Sequence, residues 1–129
     1  MPHLTLDYSE NMETRTDIAA LCDRIRCAAI ETGVFPQAGV RVRAFKATHV
    51  SIADGNPENG FIDISVRLRE GRDLEPREAA VTQIFEADKT FLEHVIEQHT
   101  VALSIEMRNI DAALSPKVNS IRKFMVESK

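Results

Sequence analysis

The chain has no tryptophan, a single tyrosine and 5% aromatic residues in all, and its formal net charge is −4. Nucleic-acid surfaces need a basic footprint and often stack bases on aromatic rings, so this composition argues against a nucleic-acid partner. No apolar run approaches the ~18 residues of a spanning helix, and no charged-then-apolar leader is seen. The expectation is a cytoplasmic protein with no membrane partner. Cysteine is scarce too, with only Cys22 and Cys27. On one helix they stand about 140° apart at ~100° per residue, so they cannot pair there, and both are expected reduced, Cys22 toward the core. Of the four histidines, His94 and His99 are five apart, and His3 and His49 have no cysteine or histidine at ligand spacing, so neither a metal nor a cofactor is expected. The polar stretch at 54–60 lacks the sixth-position glycine and twelfth-position glutamate of a calcium loop and reads as a turn.

What is present is enough for a core. With 43% hydrophobic residues in 129, the length predicts one domain over 1–129. Its organisation reads as two strand-helix-strand halves, 2–48 and 61–108, and a tail over 109–129. Residues 2–8 alternate as a strand. Ile18, Leu21, Cys22, Ile25, Ala28 and Ala29 recur at helical spacing, and Gly33 supplies a left-handed stop. A second strand covers about 39–48, and Phe61 to Arg69 alternates strictly until Gly71. Pro76 stands in the first turn of one long helix reaching about Gln98, with a stripe of Ala80, Val81, Ile84, Phe85, Phe91, Leu92, Val95 and Ile96 expected to be buried. A fourth strand spans about 101–108. Ser115-Pro116 is expected to cap a short terminal helix carrying Val118, Ile121 and Met125.

Taken every second residue, the strands have two unlike faces. One is apolar: Leu4 and Leu6, Val40 and Val42, Ile62 to Leu68, and Val101 to Met107. Two helices can cover it. The other carries Thr5, Asp7, Arg41, Arg43, Asp63, Ser65, Arg67, Arg69, Ser104, Glu106 and Arg108, and is of mixed sign. Such a face is either solvated or buried against further copies whose opposite charges pair with it.

Proline directly follows the initiator methionine. A small second residue favours methionine removal, which would leave Pro2 with a free secondary amine: a base of fixed direction on a rigid ring. The plainer role of such a proline is to start an edge strand, where its missing N–H does no harm. While Met1 is retained, the same nitrogen is a tertiary amide without basicity.

Pro2 heading a strand, Thr32-Gly33-Val34-Phe35-Pro36, Gly39-Val40-Arg41-Val42-Arg43, Ala53-Asp54-Gly55, Glu70-Gly71-Arg72 before the long helix, and Ala102-Leu103-Ser104-Ile105-Glu106 together resemble the 5-carboxymethyl-2-hydroxymuconate isomerases of the tautomerase superfamily. Their order and spacing, over essentially the whole chain, carry the likeness. The resemblance implies an α/β (α+β) subunit of two β-α-β units, with a four-stranded sheet and two helices on one face. It further implies a homotrimer with the sheets inside, and an isomerase without a cofactor acting in the meta-cleavage degradation of homoprotocatechuate. Pro2 is implied as the proton shuttle that moves a double bond in a small polycarboxylate substrate. Arg41 and Arg72 match the positions expected to bind and polarise that substrate, with Arg43 a further binding candidate. Arg41 and Arg43 have an alternative as ion-pair partners of Asp7, Asp63 or Glu106, and Arg72 as a cap on the loop before the long helix. Tyr8, Lys46 and His49 are other polar residues placed near the inferred pocket. Two further readings stay open: a tautomerase of another 2-hydroxydienoate or 2-oxo acid, and a non-catalytic trimeric binding module of the same fold.

Overall fold

The computed structural model describes residues 2–125. Four strands, β1 (His3–Ser9), β2 (Arg41–Ala47), β3 (Gly60–Arg69) and β4 (Val101–Ile110), form one sheet in the order β2-β1-β3-β4. The outer pairs β1/β2 and β3/β4 are parallel, and the central pair β1/β3 is antiparallel. A parallel pair needs a crossover, which α1 (Ile18–Glu31) supplies in the first half and α2 (Leu74–Phe91) with α3 (Glu93–Gln98) in the second. The result is the expected pair of β-α-β units around a four-stranded sheet.

Alternation decides what the sheet buries. Leu4, Leu6, Ile62, Ile64, Val66 and Leu68 on the two central strands are at most 1% exposed and pack with Leu21, Ile25 and Ile84 from the helices. The edge strands give the same face half-buried side chains, among them Val42, Ala44, Ile105 and Met107. Helix α1 starts where Asp17 accepts a hydrogen bond from the Ala20 N–H at 3.1 Å, and it stops at Gly33, whose φ of +74° is the left-handed conformation a glycine takes without strain. Cys22 and Cys27 are both free thiols on this helix, Cys22 packed against the core. In the 54–60 segment, Asp54 Oδ1 accepts from the Asn56 N–H at 3.1 Å and from Asn59 Nδ2 at 2.9 Å, so the carboxylate closes a turn.

Two expectations need correction. The long helix begins at Leu74 and breaks at Leu92 (ψ 12°) before resuming as α3. Leu92 and Val95 remain in the core while Ile96 is 39% exposed, so the apolar stripe runs through the break and periodicity alone does not reveal it. Ser115 does not cap a helix: its hydroxyl donates to the Asp111 carbonyl at 2.7 Å. The terminal helix is a single turn, α4 (Ile121–Phe124), and Asn119 Oδ1 accepts from the Ile121 N–H at 2.8 Å. The same Asn119 donates through Nδ2 to the Ala38 carbonyl at 2.9 Å, tying the tail to the turn before β2. Of the three apolar residues expected on this helix only Ile121 lies in it, Val118 coming before it and Met125 after it, and all three are exposed.

On α2, Asp88 is fully buried and neither carboxylate oxygen has a hydrogen-bond partner. Burial raises its pKa to about 7. A native carboxyl that holds its proton more tightly than the unfolded one is at no disadvantage below about pH 4, and it destabilises the fold progressively as pH rises toward 7. Asp88→Asn is therefore expected to match the parent in urea unfolding at pH 4 and to exceed it at pH 8 by roughly 2–4 kcal/mol. Equal pH dependence of the two proteins would show that Asp88 is ionised and partnered.

Candidate active site

Strand polarity brings the candidate residues to one end of the sheet. β1 and β2 begin there, and β3 and β4 end there. Pro2 lies one residue before β1 and is buried; Arg41 opens β2, Arg69 closes β3, and Arg72 follows three residues later. The ladder aligns His3 with Arg41 on one side and with Arg67 on the other, and Arg67 with Arg108, which makes a lateral row of Arg41, His3, Arg67 and Arg108 on the charged face. The next row, Arg43, Thr5, Ser65 and Glu106, is of mixed character, and the one beyond holds Asp7, Asp63 and Ser104. Positive charge is thus concentrated at the Pro2 end.

His3 sits between two guanidinium groups. Arg41 Nη1 is 3.5 Å from its Nε2 and Arg43 Nη1 is 3.4 Å from its Nδ1. A neutral imidazole has one acceptor nitrogen, so the tautomer decides which arginine it receives. Burial first, and then the charges of Arg41, Arg67 and Arg43, lower the His3 pKa to about 4. The ring is therefore neutral near pH 7. His3 shares the parity of Thr5 and Asp7 along β1, and that alternation puts it on the charged face.

A cavity of about 340 Å³ opens on this face. Its sheet side is His3, Arg41, Arg67 and Arg69, and its other wall is the C-terminal segment from Ile110 through Lys117 and Val118. No aspartate or glutamate lines it among the described residues. Pro2 adjoins this wall through His3 but does not itself line it. Arg72 stands apart: its Nε donates to the Val34 carbonyl at 3.1 Å and its Nη1 to the Arg69 carbonyl at 3.2 Å, bracing the loop before α2. That leaves Nη2 for another partner, with the fork held in place by the backbone. Tyr8 and Lys46 pair with each other in the β1/β2 ladder at the opposite end of the strands, where both reach Glu13, the hydroxyl at 2.9 Å and the ammonium at 3.2 Å. His49 follows β2 at that end and is exposed. Within one subunit these three are remote from Pro2. Among the described residues, no group of three or more His, Cys, Asp or Glu side chains is placed to hold a metal ion, and no helix is long and apolar enough to cross a membrane.

A family model for 5-carboxymethyl-2-hydroxymuconate isomerase matches residues 2–125. The chain belongs to this family. It is similar to the 5-carboxymethyl-2-hydroxymuconate Δ-isomerase of Escherichia coli, at 30% identity over 121 residues, which are 94% of this chain and 96% of that relative. A crystal structure of a 5-carboxymethyl-2-hydroxymuconate Δ-isomerase superposes with a TM-score of 0.90 at 27% identity, covering 100% of this chain and 96% of that one. The isomerase structure from Deinococcus radiodurans R1, at 24% identity, shares the fold with a TM-score of 0.88 over 97% of this chain and 95% of its own. This chain thus shares its fold with both isomerase structures over nearly its whole length.

The His3 environment has a consequence for stability. Because the folded pKa is depressed to about 4 from 6.5, the unfolded chain binds the additional proton first as pH falls. Stability due to the neutral ring is complete above about pH 6.5 and is lost between there and pH 4. His3→Gln is expected to flatten the urea-unfolding midpoint across that window relative to the parent; an unchanged acid slope would mean that His3 is protonated in the folded protein.

Proposed function

We propose that this protein is a cofactor-independent isomerase that converts 5-carboxymethyl-2-hydroxymuconate to its 2-oxo-3-ene isomer, with the amino-terminal amine of Pro2 as proton shuttle. The observation that carries this reading is the convergence, on one end of the sheet, of Pro2, Arg41 and a cationic cavity that no acid lines among the described residues. The reaction needs one base. The neutral amine takes the hydroxyl proton, the C–O bond becomes a carbonyl, the double bond shifts inward along the chain, and the protonated amine returns the proton to the far carbon of the diene. No net charge or redox change is involved. Burial of Pro2 and the nearby arginine charges both disfavour the ammonium form and lower its pKa, which leaves the amine ready to accept near neutrality. Arg41 meets a carboxylate and stabilises the dienolate as negative charge grows on its oxygen; Arg72, with its fork already fixed, offers a second cationic contact, and Arg43 supports Arg41 through His3. The amine requires removal of Met1, which lies outside the described residues.

The working form we propose is a cytoplasmic homotrimer joined through the charged sheet face. Arg43 and Arg108, which do not line the cavity, share that face with Asp7, Asp63 and Glu106, so copies can pair opposite charges across a contact. Phe45 on the same face and Leu114, Ile121 and Phe124 in the tail are at least 52% exposed, which supplies apolar area for the same contact. Free Cys22 and Cys27 suit a reducing compartment.

Three forms, each confirmed by intact mass, test the base: the processed enzyme, Pro2→Ala, and the methionine-retained protein. Activity is expected to fall in that order, with the alanine variant impaired but measurable and the methionine-retained form inactive. Light scattering should find all three trimeric. Equal turnover with and without Met1 would remove the amine from the mechanism, and a stable monomer would remove the trimer.

A further inference from the structure

The substrate class proposed above bears three carboxylates, two on the muconate chain and one on the carboxymethyl branch, while the candidates at the reacting end are Arg41 and Arg72. The cavity that Arg41 lines holds more positive charge than that residue accounts for. Arg69 and Lys117 both line it, one from the end of β3 and the other from the C-terminal segment, and neither side chain has a hydrogen bond or ion pair among the described residues. Arg67 lies two residues before Arg69 on the same sheet face, so both project to the cavity side. Like charges gathered in one concavity raise its free energy unless an anion joins them, and no acidic side chain of the described subunit enters this one. Ile110 and Ala112 form an apolar stretch between the sheet and the tail, suited to a short carbon chain lying between charged ends.

We propose that Arg69 and Lys117 form a subsite that binds the third carboxylate of the substrate, with the C-terminal segment serving as its outer wall. This rests on the isomerase reading for the identity of the ligand, and on the cavity alone for the site. Its consequence is selectivity. A tricarboxylate places one carboxylate at the subsite and still offers one each to Arg41 and Arg72, while a dicarboxylate leaves one of the three positions unfilled. Asn119 matters indirectly, because its bond to the Ala38 carbonyl holds the segment that carries Lys117.

Calorimetric titration with two unreactive acids, tricarballylate and glutarate, tests the subsite without turnover. The processed parent protein is expected to bind the tricarboxylate at least tenfold more tightly than the dicarboxylate. In Lys117→Ala and in Arg69→Ala that ratio should fall by about tenfold, and Lys117→Arg should restore most of it, with light scattering and circular dichroism recording assembly and fold in the same samples. A parent ratio near one, a ratio unmoved by either alanine substitution, or losses that are equal for both acids would each overturn the proposal. The isomerase reading fails separately: a protein that keeps tricarboxylate selectivity yet does not turn over 5-carboxymethyl-2-hydroxymuconate has the subsite without the activity, and turnover without selectivity has the reverse.

Discussion

Repulsion among cations at one end of the sheet is the constraint on which the rest of this structure depends. Like charges about 5 Å apart interact by roughly 3 kcal/mol at an effective dielectric of 20, so a row that aligns Arg41, His3, Arg67 and Arg108 cannot also accommodate a protonated imidazole cheaply. His3, already disfavoured as a cation by burial, stays neutral beside these charges. On the reading proposed above, the same field favours the neutral form of a free amine at Pro2 and attracts carboxylates into a cavity that no acid lines among the described residues. Base activation and substrate binding are, in this account, two results of a single charge distribution.

The fold creates that distribution through direction and alternation. If β3 ran parallel to β1, Arg67 and Arg69 would lie at the far end from Pro2; the antiparallel central pair brings them back. Alternation then sorts the side chains, sending Leu4, Val66 and Leu68 to the helices and His3, Arg67 and Arg69 to the opposite face. The acids of that face, Asp7, Asp63 and Glu106, fall in later rows, so the sheet carries a gradient from positive at the Pro2 end to mixed beyond it. A gradient of this kind serves both a ligand at one end and a partner subunit along the remainder.

Much of this was legible in the sequence because strand alternation and helix caps act locally. The apolar and charged faces, the stop at Gly33 and the turn at 54–60 follow from residue type and spacing. The break at Leu92 does not, because buried residues continue on both sides of it. The tail was misread because Ser115-Pro116 has the form of a cap, whereas the donor at Ile121 is met by Asn119, which also reaches across to Ala38. Long-range bonds of that kind leave no local mark. The site was partly legible: Pro2, Arg41 and Arg72 do gather at one end of the sheet. Tyr8, Lys46 and His49 do not, because the rise along β1 from Pro2 to Tyr8 and along β2 from Arg41 to Lys46 carries them to the far end of the sheet. Arg72 also proves to be braced against main-chain carbonyls, and the placement of His3 between arginines and of Lys117 at the cavity depends on a ladder register and a tail path that only the folded chain displays.

The most direct test of the central claim is a nitrogen-15 NMR titration of the Pro2 amine in the processed protein, repeated in Arg41→Ala. A cationic field at a buried strand end predicts an amine pKa well below that of an amino-terminal prolyl amine in an unfolded peptide, rising toward that reference when Arg41 is removed. A value at or above the peptide reference in the parent, or one that does not move in the variant, would contradict the account.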